Sequence, residues 1–189
     1  MEAHVLEGGF ADLPVDASHA FRAVMTAMAR PGDIAQVSGA LPPAPMTVAA
    51  GVVVLTLCDP ETPIYLAPSH DTQQVRDWIT FHTGAPFAQA QGAMFALGTW
   101  PDLPISDFQI GTAEYPDRSA TVIVESPMLS NEGAVLNGPG IKDHATLSLP
   151  DTQAFQTNAA LFPLGLDFIF TCNDRVAALP RTTRISKCM

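Results

Sequence analysis

The sequence predicts an α/β fold with a mixed sheet, formed by a single domain over residues 1–189. Helical segments and short β-rich segments both occur along the chain, but they do not alternate with the regular spacing of βαβ units. The chain of 189 residues is 47% hydrophobic, which is enough to bury one full core. One layered domain is therefore the expected architecture.

The first predicted helix lies near the N-terminus. Asp16 is its expected N-cap, and Pro31-Gly32 ends it. Apolar residues at the spacing i, i+3, i+4 and i+7 predict its buried face, which consists of Phe21, Val24, Met25 and Met28.

Three further helices are predicted. Length and apolar content indicate helices over residues 46–57 and 153–161. Between them, a helix is expected to begin at Asp71, with Gln74 as its capping-box partner, and to end at Gly84. Its predicted buried face contains Val75, Trp78, Ile79 and His82.

Short runs rich in apolar and β-branched residues predict the strands. They cover residues 35–37, 64–66, 93–97, 121–125 and 166–171. The turn at residues 59–62 connects the second helix to the second strand.

Composition and charge exclude several classes of function. Nine basic and nineteen acidic residues give a net charge of −10, so nucleic acid is not an expected partner. Cys58, Cys172 and Cys188 form no Cys-x-x-Cys pair and read as reduced thiols in the cytoplasm. There is no secretory-signal pattern and no run near the roughly 18 apolar residues of a membrane span, so we expect a cytoplasmic protein without a membrane partner.

Four short motifs combine Gly or Pro with a polar residue that can take part in recognition. They are Phe81-His82-Thr83-Gly84, Asn137-Gly138-Pro139-Gly140-Ile141, Phe162-Pro163-Leu164-Gly165 and Leu179-Pro180-Arg181-Thr182-Thr183. None of them is a nucleotide-binding fingerprint. The glycine-rich turn could present N–H groups to an anion, but an ordinary turn is the favoured interpretation.

His82 and Thr83 form the first candidate site for a ligand or an interface. A helix C-terminus favours an imidazolium there, and the Thr83 hydroxyl can hydrogen-bond to a ligand or to the backbone. The alternative, which is slightly favoured, is a helix-terminal histidine hydrogen-bonded to a carbonyl group.

Arg30, Arg181 and the adjacent Thr182 form the second set of candidates. Both arginines are next to a proline that restrains the backbone, and a guanidinium can bind two phosphate oxygens at once. The favoured alternative is that each arginine pairs with a carboxylate, such as Asp59 or Asp167, and fixes a loop or a subunit contact.

No self-contained catalytic group of residues is predicted. Ser119, Ser126 and Ser130 lack the Gly-x-Ser-x-Gly context of a hydrolase. The five histidines are widely separated and have no metal-ligand spacing, so no metal is expected: His4, His19, His70, His82 and His144.

The sequence resembles the H subunit of the bacterial carbon-phosphorus lyase core complex. The resemblance rests on the four motifs together with Phe21-Arg22, residues 28–32 and the segments at residues 55–59, 111–121 and 181–183. The resemblance covers nearly the whole chain. It implies a subunit of a machine that breaks down organophosphonates, in a step that couples a phosphonate to the ribose of ATP with loss of adenine. It also implies a homodimer when isolated, and docking on the G, I and J subunits.

The same resemblance implies a reduced version of the fold of pyridoxal-phosphate-dependent transferases, without the cofactor. The sequence agrees with the loss of the cofactor. Only Lys142 and Lys187 could form the required Schiff base, and neither has a suitable context. No cofactor is therefore expected.

Two hypotheses remain open. The first is a non-catalytic subunit that works by assembly, with a contact surface formed by Phe87, Phe108, Phe162 and Leu164. The second is an independent enzyme or binder, with Arg30, His82 and Arg181 around one pocket for a phosphonate or a nucleotide.

Overall fold

The computed structural model describes residues 7–186, and these residues form an α/β fold with a mixed sheet, as predicted. The helices of this part of the chain are α1 (Leu13–Ala29), α2 (Val48–Leu57), α3 (Gln73–Thr83) and α4 (Thr152–Ala159). Its strands are β1 (Ala35–Gln36), β2 (Ile64–Leu66), β3 (Phe95–Thr99), β4 (Thr121–Glu125), β5 (Ala134–Asn137), β6 (Ala145–Leu147), β7 (Asp167–Cys172), β8 (Arg175–Leu179) and β9 (Arg184–Ser186).

The larger sheet has six strands in the order β1-β8-β7-β4-β3-β2. Strands β2, β3, β4 and β7 run parallel to one another, whereas β8 pairs antiparallel with both β7 and β1. A smaller antiparallel sheet has the order β6-β5-β9. The carboxyl ends of β2, β3 and β4 therefore meet at one edge of the larger sheet.

Each face of the larger sheet buries its own core, because side chains alternate along a strand. Ile123 of β4 packs with α1, α2 and α3 on one face. Its neighbours Val122 and Val124 point to the other face, where they pack with Phe155 of α4 and Leu136 of the smaller sheet. The sheet is thus covered on both sides, as expected for parallel strands.

Helix α1 differs from the prediction at its start and in its buried face. The N-cap is Asp12 rather than Asp16, and the Asp16 carboxylate accepts the backbone N–H of Asp12 at 2.9 Å. The buried residues are Ala20, Val24 and Ala27. Small alanines allow α1 to pack closely on its neighbours, and the predicted core residues Phe21 and Met25 are 51% and 38% exposed instead.

Helix α3 ends at Gly84 as predicted, in the left-handed conformation with φ of 70°. Its start was predicted one residue too early, because the N-cap is Thr72, whose Oγ1 accepts the N–H of Val75. Asp71 pairs with Arg76 instead.

Several strands were not predicted from the sequence, namely β5, β6, β8 and β9. Three of them form the smaller sheet, and β8 follows β7 through a tight turn in which Asn173 has a positive φ of 56°. Strand β4 has the predicted bounds. Among residues 7–186, no helix combines the length and the apolar character needed to cross a membrane.

Candidate functional site

Three of the four motifs line one concavity of about 550 Å³, called here the arginine cavity. Its walls include Pro139-Gly140, Phe162-Pro163 and Pro180-Arg181-Thr182, together with Met28-Ala29 at the end of α1. Asp167 and the Pro116-Asp117 segment complete it. The motifs that stood out in the sequence are thus brought together by the fold.

Gly140 shows how closely these segments approach one another. A Cβ atom at this position would lie 1.9 Å from the backbone oxygen of Ala29, and the φ of Gly140 is +81°. Only glycine fits both constraints. The turn after β5 therefore packs directly on the end of α1.

Arg181 uses its guanidinium within the protein. Its backbone N–H and its Nε donate to Oδ1 of Asp167, at 2.8 and 3.2 Å, and its Nη2 donates to Oδ2 of the same carboxylate. Its Nη1 donates to the carbonyl oxygen of Pro116. Both partners of the ion pair are largely buried, with 13% and 17% of the side chains exposed. The ion pair with Asp167, considered above as an alternative to phosphate binding, is present. It occupies the guanidinium N–H groups that would bind a phosphate.

Arg30 lies on a neighbouring surface rather than in the arginine cavity. It is the C-cap of α1 and it is exposed. It borders a shallow depression beside Phe21 and Met25. Thr182 lines the arginine cavity next to Arg181.

His82 and Thr83 lie at the end of α3, apart from both arginines. The His82 ring packs against the rings of Trp78 and Phe81, at centroid distances of 4.9 and 5.0 Å. Burial lowers the pKa of His82, and a hydrogen bond to the backbone of Glu7 only partly offsets this effect. Thr83 donates to the carbonyl of Ile79 and accepts the N–H of Ala85. The Thr83 hydroxyl and one ring nitrogen of His82 thus hydrogen-bond to the backbone, whereas Nε2 of His82 is buried and has no partner among the described residues.

A second and larger concavity, called here the histidine cavity, lies at the carboxyl edge of β2, β3 and β4 and has a volume of about 750 Å³. Ligands of open α/β sheets bind at this edge. His70 follows β2, Thr99 ends β3 and Glu125 ends β4. The register pairs Thr99 with Glu125, so the parallel strands bring these residues together.

Glu125 is 7% exposed and is fixed by the start of α2. Its Oε1 accepts the backbone N–H of Thr47 at 2.7 Å and the Thr47 hydroxyl at 3.0 Å. Burial raises the pKa of Glu125, and hydrogen bonds from Thr47 and Thr171 partly offset the effect. The carboxyl group is therefore anchored but costly to ionise.

His70 is 2% exposed and lies beside Glu125. Its Nδ1 is 3.1 Å from Oγ of Ser69, and its Nε2 is 3.9 Å from Oε1 of Glu125. The second distance is too long for a hydrogen bond, and Nε2 has no partner among the described residues. Burial lowers the pKa of His70, with a smaller opposing effect from Asp102.

The histidine cavity was not predicted from the sequence. Two polar residues near the ends of predicted strands could have indicated it. Glu125 ends one predicted strand, and His70 follows another. The missing information was the parallel pairing of β2, β3 and β4, which places these distant residues at one edge.

The described residues contain no group of three or more His, Cys, Asp or Glu side chains arranged to hold a metal ion. Of the two lysines considered for a Schiff base, Lys142 is exposed. Lys187 lies outside the described residues.

Comparison with known proteins supplies the family. Residues 8–186 match the family model described as bacterial phosphonate metabolism protein (PhnH). Over 98% of both chains, the sequence is 39% identical to the PhnH subunit of alpha-D-ribose 1-methylphosphonate 5-triphosphate synthase of Rhizobium meliloti (strain 1021). It is 30% identical to a protein of Stutzerimonas stutzeri named as a C-P lyase subunit protein, HtxG, over 88% of this chain and 84% of the relative. The resemblance inferred from the motifs is thus confirmed, and the chain belongs to the PhnH family of bacterial phosphonate metabolism proteins.

Proposed function

We propose that this chain is a subunit of a carbon-phosphorus lyase core complex. In this complex it is needed for the coupling of an alkylphosphonate to the ribose triphosphate of ATP, with loss of adenine, and its own role is assembly. The observation that carries the proposal is the similarity to a named synthase subunit over 98% of both chains. The use of Arg181 within the fold also favours assembly over anion binding.

The proposal includes the partners and the setting of the subunit. It docks on the G, I and J subunits, it forms a homodimer when isolated, and it works in the cytoplasm without nucleic acid or a membrane. It acts as a single domain over residues 1–189, with a reduced form of the pyridoxal-phosphate-dependent transferase fold that has lost the cofactor.

The four residues predicted to form the contact surface differ in their exposure. Phe108 is 4% exposed and belongs to a core, so its assignment to the surface was wrong. Phe87 is half-buried and lies 4.5 Å below the guanidinium of Arg76. Phe162 is 59% exposed, as expected, and Leu164 is half-buried.

We place the docking contact on a surface formed by Phe21, Met25 and Phe162, called here the α1 surface. Phe21 and Met25 are exposed on α1, and the depression between them and Arg30 shares Ala29 with the arginine cavity that Phe162 lines. Large apolar side chains with an arginine beside them are typical of the centre of a protein interface.

Co-expression with tagged G, I and J subunits tests the proposal. We expect the wild-type chain to be captured, and the double variant Phe21→Ser/Met25→Ser to lose at least about tenfold of that capture, the scale of one interface hot spot. Met128→Ser is the matched control, because Met128 is equally apolar and 63% exposed away from the α1 surface. Failure of the wild-type chain to associate would refute the subunit role, whereas normal capture of the double variant would refute only the surface.

An independent binder is the alternative function, and the histidine cavity is the observation that favours it, since its volume suits a small molecule. Calorimetry of the isolated chain with ATP and with methylphosphonate separates the two functions. Turnover of either compound by the isolated chain would contradict the assembly role.

A further inference from the structure

The histidine cavity carries an inference that does not rest on the proposed function. Its floor is formed by two buried titratable side chains, His70 and Glu125, which the proposed assembly role does not use. A buried polar atom without a partner is rare in a native fold and calls for an explanation. Among the described residues, His70 Nε2 is such an atom, as are His82 Nε2, Ser119 Oγ and Thr183 Oγ1, and of these four residues His70 alone lines the histidine cavity.

The contact between His70 and Ser69 is compatible with the tautomer of His70 that carries its proton on Nε2. Oγ of Ser69 already accepts the N–H of Thr99 at 3.1 Å, so the Ser69 hydroxyl has its own hydrogen to donate, and Nδ1 of His70 is 3.1 Å away. Because burial keeps the imidazole neutral, an accepting Nδ1 leaves the proton on Nε2. We assign this tautomer to His70, in which Nε2 is a buried donor.

Glu125 presents an acceptor next to that donor. Both hydrogen bonds from Thr47 end on Oε1, and a carboxylate can accept about four hydrogen bonds. Even with the Thr171 hydroxyl nearby, the group keeps capacity for a ligand. The separation of 3.9 Å between Nε2 and Oε1 sets the donor beside the carboxyl group, and Oε2, which does not bind Thr47, is the acceptor for the ligand.

The walls of the cavity are apolar and aromatic. Trp100 lines it and is half-buried, and its indole is held by the Phe155 ring at a centroid distance of 4.8 Å. Four prolines add rigid apolar surface: Pro45, Pro101, Pro127 and Pro150. Glu125 is the only Asp, Glu, Lys or Arg side chain among the described lining residues, so an anionic ligand is disfavoured.

We propose that the histidine cavity binds an uncharged amino-substituted heterocyclic base, free or as part of a nucleoside. A ring nitrogen of the base accepts a hydrogen bond from Nε2 of His70. The neighbouring amino group donates to the Glu125 carboxylate, and the ring packs on the indole of Trp100. The ligand thereby supplies the partner that Nε2 lacks.

Calorimetric titration of the full-length protein tests this site, with adenine and adenosine as separate probes for the free base and the nucleoside. Hypoxanthine is the matched control probe. Where adenine has a ring nitrogen that accepts and an amino group that donates, hypoxanthine has a ring N–H that donates and a carbonyl that accepts. We expect adenine or adenosine to bind with a Kd below about 1 mM. We expect hypoxanthine to bind at least about tenfold more weakly than adenine, since it leaves buried polar groups unpaired. Methylphosphonate should not compete.

Glu125→Gln should weaken adenine binding at least about tenfold, because it turns part of the acceptor into a donor. Glu132→Gln makes the same chemical change at an exposed position and should leave binding unchanged. The proposal fails if neither adenine nor adenosine binds, if adenine and hypoxanthine bind equally, or if Glu125→Gln has no effect.

If Glu125→Gln fails to fold, the ratio of adenine affinity to hypoxanthine affinity in the wild-type protein still tests the proposed ligand. Capture of Glu125→Gln by the G, I and J subunits, measured in parallel, separates a failure of this site from a failure of the assembly proposal.

Discussion

The arginine cavity and the histidine cavity use their polar groups in opposite ways. In the arginine cavity, the guanidinium of Arg181 is paired with Asp167 and the Pro116 carbonyl. In the histidine cavity, Nε2 of His70 has no partner among the described residues, and the buried Glu125 beside it has a raised pKa.

The comparison shows that Arg181, which stood out in the sequence, has a structural role, whereas the residues that line the histidine cavity belong to none of the four motifs. Arg181 stood out because it follows a proline. In the structure its guanidinium binds Asp167 of strand β7 and the carbonyl of Pro116, and so holds these two segments together. Buried polar groups that lack partners cost stability, and natural proteins keep such groups mainly at functional or strained sites. The following predictions test this difference, from the largest effect to the smallest.

Gly140→Ala should produce the largest loss of stability. The added methyl group would collide with the backbone oxygen of Ala29, at 1.9 Å, in a residue with φ of +81°. We expect a loss of roughly 3 kcal/mol or more in the free energy of unfolding, because neither backbone segment can move cheaply. Urea denaturation measures it.

Gly92→Ala is the matched control for this substitution. The nearest atom to an added Cβ at Gly92 is the Cβ of Ala88, at 4.0 Å, so the change should be close to neutral. Similar stability of the two variants would show that the turn at Gly140 does not hold the wall of the arginine cavity.

Arg181→Ala should cost about 2 kcal/mol, since it leaves Asp167 largely buried without its partner, and the residual exposure of the pair reduces the full penalty of a buried charge. The same substitution at Arg76 is the control. The Arg76–Asp71 pair is 38% and 36% exposed, so its loss should cost less than about 1 kcal/mol. Equal losses would contradict a structural role for Arg181 that differs from that of a surface arginine.

Glu125→Gln should have the smallest effect and the opposite sign. The variant keeps an oxygen to accept from Thr47 but removes a buried charge, so near neutral pH we expect a gain of roughly 1 kcal/mol in the free energy of unfolding. Thermal unfolding measures it, with Glu132→Gln as the exposed control. A loss of stability at neutral pH would show that the charge of Glu125 is well compensated.

The pH dependence gives a second test of Glu125. Its folded pKa lies above the ordinary value of 4.5, so the folded state binds the proton more readily than the unfolded state. Its destabilising effect is fully present above the folded pKa and disappears as pH falls to 4.5. The gain in Glu125→Gln should therefore shrink over that window. His70, with its lowered pKa and Asp102 nearby, lies 3.9 Å from Glu125, so the difference between the two proteins reports the titration of this pair.

The helices show how far sequence patterns reach. Residues 46–57 and 153–161 were predicted as helices, and the structure has Val48–Leu57 and Thr152–Ala159. For α1, the most hydrophobic stripe was taken as the core face, but the structure buries the small residues Ala20 and Ala27 and exposes Phe21. Close packing of a neighbouring element, which a hydrophobic pattern does not contain, decides which face is buried.

The sequence by itself determined the family, the α/β class, the acidic surface and the bounds of strand β4, because these depend on local pattern and on ordered motifs. Only the tertiary structure decided which polar groups are satisfied. The Asp167 partner of Arg181 is 14 residues away and the Glu125 partner of Thr47 is 78 residues away. Hydrogen bonds are short and directional, so partners this distant in the chain are set by the pairing and register of the strands, which the sequence pattern left open.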